Sequence, residues 1–226
     1  MSESKWYQQS VEDVVSNTGT SPEGLTDARA AERLKETGAN ELVEKRRKGP
    51  LLMFLEQFKD FMIMVLIGAA VIAGAIGELS DTIVILVIII INAIIGFVQE
   101  YRAERAMDAL KQMASPGATV VRSGKPAKNP ASGLVPGDVV LLEAGMVVPA
   151  DIRLIETAQL KVEEAALTGE SVPVEKQTAA IDKQDVPLAD QLNMVFKGTV
   201  ITYGRGKGVV IATGMKTELG KIASML

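Results

Sequence analysis

The chain has 226 residues, 47% of them apolar but only 4% aromatic, and a formal net charge of −4. It has no cysteine and no histidine, which excludes disulfides, thiol catalysis, Cys-ligated zinc and the commonest neutral-pH general base. The acidic balance argues against a nucleic-acid partner, which calls for a basic face; without histidine or cysteine, proton transfer falls to Asp, Glu, Lys, Tyr or water.

The length suits one large domain or two small ones. Met1 to Ser21 is polar, with no apolar stretch long enough for a signal peptide. Residues 10–48 read as small helices. Thr26 is placed to cap "DARAAERLKETG", in which Ala30, Ala31 and Leu34 form an apolar stripe and Gly38 ends the helix.

Apolar residues then concentrate between Leu51 and Val98. Phe61 to Gly77 and Thr82 to Val98 carry no charge, and each is 17 residues long. Such a helix reaches about 25 Å, a little short of the ~30 Å hydrocarbon core. Leu51 to Leu55 can extend the first span, with Lys59 snorkelling to the interface. Two uncharged segments this close are hard to bury in a soluble chain of this size, so the reading is a transmembrane hairpin closed by Glu78, Leu79, Ser80 and Asp81. Lys45, Arg46, Arg47 and Lys48 precede it, Arg102, Arg105 and Lys111 follow it, and the loop carries only acids, which places both ends in the cytoplasm. Ala69, Ala70, Ala73 and Gly74 give small-xxx-small spacing, and Asn92 is expected to make an interhelical hydrogen bond in preference to binding an ion. "QEYRAERAMDALKQM" keeps helical spacing (Ala106, Leu110, Met113) as it turns polar, a stalk that Pro116 and Gly117 stop.

From Ala118 the texture changes to short β-branched runs separated by turn signals, an antiparallel β domain of about a hundred residues. "GRGKG" (Gly204 to Gly208) lies between two strand-like runs with no helix after it, and reads as a hairpin turn and not a phosphate loop. "KTELGKIASML" begins another helix. "LTGES" (Leu167 to Ser171) pairs a glycine with an acid, a tight turn that presents Glu170 at a surface; taken alone, such a residue is a solvated loop acid. Glu163 and Glu164, neighbours pointing to opposite faces of a strand, read as surface charges. The division is 1-48, an N-terminal helical segment; 49-114, the hairpin (spans about 55-77 and 82-99) with its stalk; 115-214, the β domain; and 215-226, the start of a helix toward a third span.

In this order, "GANEL" (Gly38 to Leu42), "LEQFKD" (Leu55 to Asp60), "INAIIGFVQEYRAERAMDALK" (Ile91 to Lys111), "LVPGDVV", "VPADIRL", "LTGESVPVEK" and "MVFKGTVITYGRG" resemble the N-terminal part of the P-type cation-transporting ATPases, nearest to the calcium pumps. The resemblance implies a multidomain α+β membrane protein: N-terminal helices, two transmembrane helices with stalks, and a β-rich actuator domain folded as a distorted jelly roll. It also implies a catalytic loop in which Glu170 activates the water that hydrolyses an aspartyl phosphate formed on another domain. Gly169 lets the backbone approach the phosphate, and Thr168 and Ser171 orient the water or stabilise the turn. Glu56 and Glu100 match positions linked to cation entry, though Lys59 stands where animal calcium pumps have an acid. ATP and Mg2+ would be bound by other domains of the pump. The implied partners are the lipid bilayer, those domains, the later membrane helices and the transported cation, and the implied location is the plasma membrane, multi-pass.

No D-K-T-G-T phosphorylation motif occurs, and the nearest look-alike, Asp182-Lys183-Gln184, lacks the rest. These residues alone are therefore expected to be inactive. The alternative is a truncated, membrane-anchored regulatory or binding protein.

Overall fold

The computed structural model, which describes residues 5–42, 49–113 (side chains through 106) and 117–225, separates the chain into two units. One comprises Met1–Val43 with Ser115–Leu226, the other Glu44–Ala114. Lys45 to Lys48 and Pro116 lie outside the described residues, as do the side chains of Leu110, Lys111 and Met113.

In the first unit α1 (Val11–Asn17) is capped by Ser10 and α2 (Asp27–Thr37) by Thr26, whose hydroxyl accepts from the Arg29 amide; Gly38 closes α2 with φ 78°. The N-terminal helices share this unit with the sheet. Val14 is buried against Val121, Val139 and Val209, and Leu25 and Ala30 are buried against Val135.

The second unit holds α3 (Pro50–Gln57), α4 (Phe61–Ile76) and α5 (Leu79–Met113). The helix through Leu51 to Leu55 does not run straight into the first expected span: Phe58, Lys59 and Asp60 break it, and α3 and α4 are bent by 61°. Asp60 makes the break, since its carboxylate caps the Met62 and Ile63 amides. Gly77, left-handed at φ 93°, ends α4, so only Gly77 and Glu78 separate α4 from α5. Leu79–Ala106 is long and apolar enough to cross a bilayer; α3 and α4 meet that test only together, as a bent pair. α4 and α5 meet through Ile63, Leu66, Ile85, Ile89 and Ala93, with Phe54 and Phe58 beside them. Of the small residues on α4 only Ala70 is buried. Asn92 is exposed, and among the described residues it makes no hydrogen bond, so the expected interhelical contact is not formed.

The seven strands of the first unit are β1 (Gly117–Arg122), β2 (Lys125–Pro130), β3 (Val139–Glu143), β4 (Asp151–Glu163), β5 (Val174–Glu175), β6 (Met194–Val195) and β7 (Val200–Ala212). They form one antiparallel sheet in the order β2-β1-β3-β7-β4-β5, with β6 on β4. A one-turn α6 (Ala165–Thr168) and a terminal α7 (Glu218–Met225) complete it. β1 and β2 meet at Ser123-Gly124, both at positive φ, as a two-residue hairpin requires. "GRGKG" is not a hairpin turn. It lies within β7, opposite β4, where the register shifts between Ala158 and Lys161. Gly204 takes φ 76° to follow that bulge, and a Cβ on it would meet the carbonyl oxygen of Gln159. These glycines serve close strand approach, which lets β7 run on to Ala212.

Arg153 of β4 is fully buried, and among the described residues it has no carboxylate partner. Its guanidinium donates to the carbonyls of Trp6 (3.2 Å), Gln9 (2.8 Å), Thr178 (3.0 Å), Leu154 (2.6 Å) and Asn193 (3.4 Å). Burial lowers its pKa to about 10. Asn193 adds bonds to the Tyr7 and Ala179 carbonyls, both at 2.8 Å. One cation thus holds the N-terminal turn and the segment around 178–193 against β4. Arg153→Leu orphans several buried carbonyls and is expected to cost about 3 kcal/mol or more. Urea unfolding followed by emission of the single tryptophan, Trp6, measures it; a loss below about 1 kcal/mol would contradict this account.

Candidate functional site

The Thr168 to Ser171 turn lies where β4 folds back on β5. Val162 pairs with Val174 and Lys161 with Glu175, so residues 164–173 form the connection. Glu164 opens α6, and its carbonyl accepts from the Leu167 amide (2.9 Å), the Thr168 amide (3.0 Å) and the Thr168 hydroxyl (3.1 Å). Gly169 ends the turn at φ 78° with its amide on the Ala165 carbonyl. A Cβ there would touch nothing within 4 Å, so conformation and not space requires the glycine. The Thr168 hydroxyl then accepts from the Glu170 amide at 3.2 Å. Glu170 and Ser171 are exposed, and the Glu170 carboxylate has no partner among the described residues. The four residues expected of this site thus form one turn, with Thr168 shaping it and Glu170 pointing free.

Glu164 is not a surface charge. It is 1% exposed, and its carboxylate lies 2.6 Å from the ammonium of Lys176, which is 0% exposed. Neither group has another hydrogen-bond partner among the described residues. Burial pushes the Glu164 carboxyl up and the Lys176 ammonium down, and each partner's charge opposes that shift. Although β4 ends at Glu163, Glu164 follows the buried Leu160 and Val162 on the inward side of the alternation, where Lys176 meets it.

A second polar centre was not anticipated from the sequence. The Asn40 carboxamide donates to the carbonyls of Ala131 (2.9 Å) and Pro149 (2.8 Å), and accepts from the Gly214 amide (2.9 Å) and the Lys197 ammonium (3.0 Å). Asp151 accepts from the Lys197 amide (2.9 Å) and, at the start of α7, from the Glu218 amide (2.7 Å). Burial holds the Lys197 ammonium below the usual lysine range and pushes the Asp151 carboxyl up to about 6. Asp151 lines a cleft of about 660 Å³ with Trp6, Tyr7, Phe196, Met215 and Glu218. The signal for this centre was the string of polar residues inside strong motifs, Asn40 in "GANEL" and Asp151 in "VPADIRL".

Glu56 and Glu100 belong to the other unit. Glu100 accepts from the Gln57 amide group at 2.7 Å, bridging α3 to α5, and Glu56 is half-exposed one residue earlier. Among the described residues no three acidic side chains gather where they could hold a metal ion, so none is assigned to Mg2+.

Lead-in helices, apolar helices and an antiparallel sheet bearing a Thr-Gly-Glu-Ser turn follow one another along the chain. Residues 6–73 match the family model "Cation transporter/ATPase, N-terminus", and residues 112–226 match "P-type ATPase actuator domain". The chain is 46% identical over 99% of its length to calcium-transporting ATPase 1 of Bacillus cereus, covering 26% of that protein. It is 45% identical over 98% of its length to a calcium-transporting ATPase of Bacillus subtilis, covering 25% of it. It is also 43% identical over 97% of its length to a sodium/potassium exporting P-type ATPase of Schizosaccharomyces pombe, covering 22% of it. The chain belongs to the P-type ATPase family and corresponds to the N-terminal portion of such an enzyme, spanning about a quarter of the length of these relatives.

Because the folded Asp151 value of about 6 lies above the ordinary 3.8, the folded state holds this proton more tightly. Asp151 therefore favours folding below pH 4 and loses that contribution as pH rises through 6, by about 3 kcal/mol for two pH units. Unfolding of wild type and Asp151→Asn, followed by Trp6 emission from pH 4 to 7.5, should show wild type losing ground to the variant as pH rises. Parallel curves would contradict the assignment.

Proposed function

We propose that this segment is the membrane and actuator portion of an ATP-driven cation pump, and that its Thr168 to Ser171 turn promotes hydrolysis of an aspartyl phosphate formed on another domain. The observation that carries the reading is the turn itself. Thr168 spends its hydroxyl on the turn's own backbone, Gly169 has open space beside it, and Glu170 projects without a partner among the described residues. A carboxylate so presented can take the proton of a water attacking the phosphorus as the bond to the aspartyl oxygen breaks, leaving aspartate and inorganic phosphate. Such general-base help is typically worth about 10² to 10⁴ in rate. Ser171, exposed beside Glu170, orients the water.

The finer architecture belongs to the same reading. α5 and the bent α3–α4 pair are two spans with both ends cytoplasmic in the plasma membrane, and the sheet is the jelly roll of an actuator. Glu56 and Glu100 guide cations at the mouth of the spans. Calcium is the cargo we favour, because the bacterial relatives above are named as calcium-transporting. ATP and Mg2+ act in the phosphorylating domains.

In the complete pump, Glu170→Gln is expected to leave phosphoenzyme formation intact and slow its decay by about 10²-fold. Acid-quenched chase of the phosphorylated protein measures this. Decay at the wild-type rate would remove Glu170 from the reaction.

A further inference from the structure

The buried pair of Glu164 and Lys176 closes the base of the turn just described. Lys176 is tied to β4 and to the residue just past its end: its amide donates to the Leu160 carbonyl at 2.8 Å, and its ammonium meets the Glu164 carboxylate at 2.6 Å. Glu164 is the residue on which the turn is built. Its carbonyl accepts from Leu167 and from both donors of Thr168, and the Thr168 hydroxyl in turn holds the Glu170 amide. Three contacts therefore lead from Lys176 to Glu170: ammonium to carboxylate, carbonyl to hydroxyl, hydroxyl to amide.

Stability is a weak reason for such a pair. Two ions buried together with no further partners recover little of their desolvation, and well-packed apolar residues in their place are often neutral or stabilising. An ion pair does offer a directional link, which fixes the rotation of Glu164 about its own backbone. The short α6 has no side-chain cap at Glu164 and no fully buried residue; its apolar contact is Leu167, half-buried against Tyr7, Met194 and Phe196. Leu167 anchors the middle of the turn, and the link at Glu164 fixes its first residue.

We propose that Glu164 and Lys176 are positioning residues for the catalytic turn, their ion pair fixing both ends of the 164–176 segment and, through the Glu164 carbonyl, the placement of Thr168 and Glu170. The consequence for catalysis rests on the reading of Glu170 given above; the structural claim does not.

The test replaces the pair by Glu164→Met with Lys176→Met, and separately by Lys176→Arg, which keeps the charges. In this chain, deuterium exchange of residues 165–171 and the unfolding midpoint from Trp6 emission are measured together. The Met pair should keep its midpoint while exchange at 165–171 quickens about tenfold or more, and Lys176→Arg should retain wild-type protection. Unchanged exchange in the Met pair overturns the proposal. So does a loss of protection spread across the whole β unit in step with a lowered midpoint, which would make the pair a stability element only.

In the complete pump, the Met pair should form phosphoenzyme normally and lose it about tenfold more slowly or worse, with Glu170→Gln measured alongside. If Glu170→Gln traps phosphoenzyme and the Met pair decays at the wild-type rate, the positioning role fails. If Glu170→Gln itself decays normally, the reading of Glu170 fails, and the exchange experiment still decides on the pair.

Discussion

The pairing of β4 with β7 is the constraint on which this fold depends. Both strands are 13 residues long, and at about 3.3 Å per residue β4 runs roughly 40 Å. Every other strand attaches to this pair directly or through one neighbour, except β2. The ladder is not regular: four register shifts bend it, and Gly204, Gly206 and Gly208 let the strands close up where a side chain would collide. The two polar centres occupy opposite ends of one strand, Asp151 beginning β4 and Glu163 ending it just before the Glu164 turn.

Those ends use buried polarity differently. At the Asp151 end, Asn40, Lys197, Gly214 and Glu218 share a network in which each buried oxygen of Asn40 and Asp151 finds a donor. Asn40 stands close to where the chain leaves this unit, and Gly214 to Glu218 starts α7. Both are therefore fixed to the same corner of the sheet. Arg153, two residues along, ties the N-terminal turn to the same strand through carbonyls alone. At the other end the polarity is a single ion pair, with a turn above it that exposes a carboxylate to whatever approaches. β4 thus carries a satisfied network at one end and leads into a solvent-facing acid at the other.

Much of this was legible in the sequence because it depends on local chemistry. Thr26 and Gly38 bound α2 as their types require, Ser123-Gly124 makes the first hairpin, and Thr168 to Ser171 form the expected turn. The misreadings came from residues whose role depends on distant partners. Glu164 looked like a solvated acid because Lys176 is twelve positions away and meets it only after β5 folds back. "GRGKG" looked like a turn because glycine signals both turns and close approach, and only the bulge in β4 decides between them. β2, "KPAKNP", has no strand signature and exists because β1 offers it an edge. In the apolar unit the two uncharged runs marked the helices, but Asp60, a capping acid just before the first run, determined where the helix breaks.

The most direct test of the central claim is to phosphorylate native membranes with radiolabelled ATP, quench in acid, and identify the labelled polypeptide with an antibody against the β unit. The account predicts that the antibody marks a species carrying an acid-stable, hydroxylamine-sensitive phosphate, whose level responds to calcium. If every species the antibody marks remains unlabelled under all cations tested, the claim that this segment serves an aspartyl-phosphate pump is contradicted.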